Sequence, residues 1–83
     1  MRLLKAPAMF DRHLSSRSTF YLQIRDGLMT PPVEAGKNTS AWPEHESEAI
    51  LRARVAGFTD EQIRALVKQL VSDRAKLADP VAA

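Results

Sequence analysis

The chain predicts a mainly α fold with one small β-hairpin, in the order helix, helix, strand–turn–strand, helix, and a further C-terminal amphipathic helix. Three observations carry that prediction. Capping residues stand before apolar helical periodicities at Ser16 and again at Thr59. Glycines close two helical stretches at Gly27 and Gly57, where a left-handed residue is wanted. Between the two pairs of helices, Pro31-Pro32 removes backbone donors and forces extended geometry ahead of a Gly36-Lys37-Asn38-Thr39 turn.

The first helix is expected from Pro7 to His13, because proline is tolerated in a first turn where its N–H has no helical partner. Ala6, Met9 and Phe10 supply its apolar face. Ser16 then caps a second helix that ends at Gly27. Phe20, Ile24 and Leu28 form a ridge for burial, and Arg17, Tyr21 and Arg25 form a polar row beside it. Val33-Glu34-Ala35 and Ser40-Ala41-Trp42 read as two short strands, which cannot be stable alone and must lean on the helices through Val33 and Trp42. Pro43 opens a third helix, with Glu44, Glu46 and Glu48 suited to the positive end of its dipole and Ala49, Ile50 and Ala53 facing inward. Gly57 ends it, with Phe58 making the apolar contact that accompanies such a cap. Thr59 and Gln62 form a capping box for the last helix, whose Ile63, Leu66, Val67, Leu70 and Val71 make an i, i+3, i+4, i+7, i+8 stripe. Residues 79–83 read as a frayed tail.

With 83 residues the chain is one small domain, with little room for a deep substrate cavity beside its core. It contains no cysteine, which excludes disulfides, redox dithiols and Cys-based zinc sites. Met1 to Lys5 has none of the long apolar run of a signal peptide, and nothing reaches the length of a membrane span, so a cytoplasmic protein is expected. The net charge of +2 is uninformative until it is divided. Through Trp42, six basic residues stand against three acidic ones, or +3; from Pro43 onward six stand against seven, or −1. An anionic partner is therefore expected on the first half.

A short helix, a capped second helix and a strand–turn–strand make the outline of a winged helix-turn-helix. In that arrangement residues 16–26 enter the major groove of double-stranded DNA, and the wing at 33–42 reaches the flanking backbone or minor groove. Ser16, Ser18 and Thr19 can donate to phosphates beside the free N–H groups of a helix start, and Arg17 can bridge guanine O6 and N7 or meet a phosphate. Tyr21 and Gln23 add backbone or base contacts, Arg25 meets a phosphate one turn on, and Lys37, Asn38 and Thr39 form the wing tip. Glu44-His45-Glu46 lacks the HExxH spacing of a metalloprotease, and His13 reads as a turn residue; no catalytic residue, metal or cofactor is expected.

Ser16-Arg17-Ser18-Thr19-Phe20-Tyr21, Ile24, Gly27, Pro32-Val33, Gly36 and Trp42-Pro43-Glu44-His45-Glu46 together resemble the AlpA family of phage and prophage regulators. The later Ala49-Ile50, Ala53-Arg54, Ala56-Gly57, Asp60 and Ile63 to Val67 resemble a subgroup that continues past the minimal domain. The resemblance, over residues 14–71, implies a MerR/excisionase-like winged helix-turn-helix that regulates prophage genes, with Ser16 to Thr19 and Tyr21 starting the recognition helix and Gly36 marking the wing. The chain departs from that pattern with Leu22 in place of arginine and Gln23 in an apolar position. Glu34 and Asn38 replace wing cations, and Ser47 fills an apolar slot. Lys37 alone stands near the missing cations, so weaker DNA affinity or help from a second subunit is expected.

That expectation divides the chain into a DNA-binding unit at 1–58 and a helix at 59–78 that packs on the core or mediates self-association. A homodimer through Ile63, Leu66, Val67, Leu70 and Val71 would place two recognition helices on half-sites about 34 Å apart. The alternative function is a protein-interaction adaptor that docks through the same 63–71 face.

Overall fold

The computed structural model describes residues 1–77, so the tail expected to fray at 79–83 lies outside the described residues. The elements are β1 (Leu3–Lys5), α1 (Ala6–Arg12), α2 (Arg17–Arg25), β2 (Val33–Gly36), β3 (Thr39–Pro43), α3 (Glu44–Val55) and α4 (Asp60–Leu77). The four helices follow the expected order, but the β element is larger than a hairpin. The strands form an antiparallel sheet in the order β1-β3-β2. Strand β1 is too short to show a periodicity, and it is a strand only because β3 offers it an edge. Leu3, Leu4 and Lys5 pair with Pro43, Trp42 and Ala41, and the Glu44 N–H extends the pairing by donating to the Arg2 carbonyl at 2.9 Å.

The hairpin turn is tighter than the sequence suggests. Gly36 lies opposite Thr39 after a bulge between Glu34 and Gly36, leaving Lys37 and Asn38 as the connection. Asn38 takes the left-handed conformation at φ 60°, a backbone region that asparagine tolerates better than most residues.

Three helices end in the same way. After each C-cap a left-handed residue donates to the carbonyl three residues back and its successor donates to the one five back, the Schellman pattern. In α3, Gly57 donates to Arg54 at 3.0 Å and Phe58 to Ala53 at 3.0 Å. In α2, Gly27 donates to Ile24 at 3.2 Å and Leu28 to Gln23 at 2.8 Å. In α1 the left-handed position is held by Leu14 at φ 50°, with its side chain 94% exposed, so neither glycine nor burial explains the conformation there. Helix α4 starts with the expected capping box: Thr59 N–H donates to Gln62 Oε1 at 2.8 Å, and Gln62 N–H to Thr59 Oγ1 at 3.2 Å.

The core gathers Leu4, Met9, Phe20, Met29, Trp42, Ile50, Ala53, Ile63 and Val67. Phe20 meets Phe10 and Trp42 edge-on at 5.2 and 5.3 Å between ring centroids, a favourable arrangement of aromatic quadrupoles. Trp42 is fully buried and its indole N–H donates to the Thr30 carbonyl at 2.9 Å, so it is a core residue with a satisfied polar tip. Ile63 and Val67 belong to this core, and Leu66 and Leu70 pack against it. Of the two expected alternatives, packing on the core is the one the structure shows for the stripe. Its inner residues cover the apolar side of the 1–58 unit, which is too small to bury Ile50 and Ala53 alone, and only Val71 stays at the margin.

Four polar ties join distant segments. Glu46, fully buried near the start of α3, accepts from Arg74 of α4 through both oxygens, at 2.6 and 2.8 Å. The same guanidinium donates to the Pro31 carbonyl at 2.7 Å, tying α4 to the segment before the hairpin. Arg64 donates to the Asp26 carbonyl at the end of α2 at 2.9 Å. A hydrogen bond of 2.8 Å joins His13 Nε2 and the buried Ser47 hydroxyl, which is why a polar residue is tolerated in that interior position.

Candidate nucleic-acid interface

Helix α2 is held at both ends. At its start the Ser16 hydroxyl accepts from the Thr19 N–H at 3.2 Å and donates to Thr19 Oγ1 at 2.9 Å. Ser16 is thus occupied as the cap of the helix. The N–H groups of Arg17 and Ser18, the first of the helix, have no partner within it, and the Ser18 hydroxyl is exposed beside them. At its end α2 is closed by Gly27 and by the Arg64 guanidinium, a cation at the negative end of the helix dipole.

Between these fixed ends the faces separate by burial. Phe20 is buried and Ile24 half-buried on the inward side. At about 100° per residue the opposite ridge is Ser18, Leu22 and Arg25, all exposed. Arg17 and Tyr21 lie on one flank, with the guanidinium carbon 5.8 Å from the phenol ring centroid. That stacking steers a long side chain that would otherwise sample many rotamers. Arg25 pairs only with its neighbour Asp26 at 3.4 Å, in an exposed contact worth little.

Gln23 is placed differently from its expected role. It is half-buried on the other flank, where with Arg12, His13, Leu14, Leu28 and Arg54 it lines a dent against α3, so it does not join the outward ridge. Beside that dent the His13 imidazole is held below its ordinary pKa of 6.5, first by burial and then by the nearby Arg12 and Arg54 charges. The ring packs beside Phe20, with ring centroids 6.1 Å apart.

At the turn of the hairpin, Lys37 and Asn38 are exposed, and the half-buried Thr39 donates from its hydroxyl to the Lys37 carbonyl at 3.4 Å. Charge pairing sorts the cations. Among the described residues Arg2 and Arg12 reach Glu44 at 3.2 and 3.5 Å, and Arg52, Arg54, Arg74 and Lys76 also have carboxylate partners. Lys5, Arg17, Lys37, Arg64 and Lys68 have none within 4.0 Å; the first three lie in the first half of the chain, and of the other two Arg64 is spent on the Asp26 carbonyl. Within Glu44-His45-Glu46, Glu44 pairs with Arg2 and Arg12 and Glu46 with Arg74.

Sequence reasoning missed Leu22 as the centre of the outward ridge. Its signal was present in the spacing, four after Ser18 and three before Arg25. No family model matches the sequence, and comparison with curated proteins and with solved structures gave no match. The likeness to the AlpA family stands on the residues quoted for it.

Proposed function

We propose that the chain is a sequence-specific, non-catalytic regulator of the phage and prophage kind that binds double-stranded DNA as a winged helix-turn-helix. Helix α2 would occupy the major groove and the β2–β3 turn would meet the flanking backbone or minor groove. The observation that carries this reading is an α2 fixed at both ends, whose outward ridge and N-terminal donors are not used by the fold. A helix held so firmly, with a polar and cationic face left free, suits insertion as a rigid body. The unpartnered Arg17 and Lys37 supply charge for phosphates or a guanine edge at no cost in broken ion pairs. In a cell such a protein would work in the bacterial cytoplasm, on the nucleoid.

Selection from a random duplex library, followed by titration of the winning sequence, tests the proposal. Binding should fall with roughly the third to sixth power of salt concentration, as expected for three to six neutralised phosphates. Arg17→Ala should weaken specific binding by about 1–3 kcal/mol. Enrichment no better than a random duplex at low salt would refute DNA binding, and full affinity in Arg17→Ala would remove Arg17 from the reading.

A further inference from the structure

We infer that Leu22 reads thymine through its C5-methyl group, so that α2 distinguishes bases by an apolar contact as well as by hydrogen bonds. The inference rests on the DNA-binding reading and adds to it what the helix recognises. Leu22 is 46% exposed in the middle of the ridge opposite Phe20 and Ile24. Ser18 stands one turn before it and Arg25 one turn after. A lone exposed leucine needs no explanation on an ordinary surface. This one shares an exposed ridge with the Ser18 hydroxyl and the Arg25 side chain, with the first free N–H groups of the helix one turn behind it and Arg17 on the flank over Tyr21.

A partner matching that ridge is anionic around its rim and apolar at one spot within it. The major groove of DNA has that form. Phosphates line its edges, and the thymine methyl is the one apolar group among its base edges. Arg25 can exchange its exposed Asp26 contact for a phosphate at small cost, which leaves Leu22 directed at the groove floor between Ser18 and Arg25.

The test uses the full chain and the selected duplex, with each thymine replaced in turn by uracil, a change that removes only the methyl group. Wild type should lose about fourfold in affinity at one or two thymine positions, the size expected for one buried methyl. Leu22→Ala should bind thymine and uracil duplexes equally there, and Leu22→Met should keep the preference. Circular dichroism of each variant should match wild type, because the position is exposed. If the duplex is bound specifically but uracil is accepted everywhere, or if Leu22→Ala keeps the preference, the inference is overturned while DNA binding stands. If no duplex is bound above a random-sequence background, both fall, and an acidic protein partner becomes the better match for the same ridge.

Discussion

Replacing Arg74 by alanine is expected to remove between a quarter and all of the folding stability of this chain. Glu46 is wholly buried, and its two oxygens accept from the Arg74 guanidinium at 2.6 and 2.8 Å. Arg74 is itself only 20% exposed, and the pair lies in a setting where charges are weakly screened. Removing one member of such a pair strands the other, at a cost of about 3–5 kcal/mol. A chain of this length has about 4–12 kcal/mol in total. The midpoint of thermal unfolding should accordingly fall by about 12–40 °C. Urea unfolding followed by far-ultraviolet circular dichroism and by the fluorescence of Trp42, the single tryptophan, measures the loss directly. Adding Glu46→Gln to Arg74→Ala should recover part of it by removing the stranded charge. The pair Glu46→Leu and Arg74→Leu should lie within about 1 kcal/mol of wild type, because a buried ion pair contributes little beyond an apolar pair of similar size. If Arg74→Ala is as stable as wild type, or if Glu46→Gln worsens it, the account of this pair is wrong.

Two other perturbations probe the turn that leads into α2. Leu14→Gly should raise stability by about 0.5–1 kcal/mol, since it relieves a left-handed leucine without losing buried surface; a loss of stability in urea unfolding would contradict that. His13 should make stability depend on pH, because its folded pKa lies below the ordinary 6.5 through burial and through Arg12 and Arg54. Above about 6.5 neither state binds the proton, and as pH falls through that value the unfolded chain binds it while the folded chain resists, so stability declines until the folded pKa is reached. Urea midpoints from pH 7.5 to 5 should therefore fall in wild type and fall less steeply in His13→Gln; equal slopes would refute the assignment.

The candidate site was legible to the extent that its signals are local. Ser16, Arg17 and Ser18 are adjacent in the chain, so the cap and the first exposed turn of α2 could be read directly from it. Gln23 was misplaced because helical spacing gives its angle on α2 but not which neighbours flank it; the dent against α3 decided that. Ser47 looked out of place until the fold brought His13 to it from 34 residues away.

The sequence by itself determined the order of the helices, their caps at Ser16, Gly27, Gly57 and Thr59, and the burial of Phe20 and Trp42. Caps and periodicities act over three to five residues, so the residues that set them are neighbours in the text of the chain. Tertiary structure alone decided that Leu3 to Lys5 is a strand, that the α4 stripe closes the core of its own chain, and that Glu46 meets Arg74 across 28 residues. The same holds for Arg64, which reaches the end of α2 from 38 residues away. None of these contacts has a periodic or capping signature. A strand of three residues needs a neighbour's edge, and a buried carboxylate needs a cation, but neither requirement names the partner until the chain has folded.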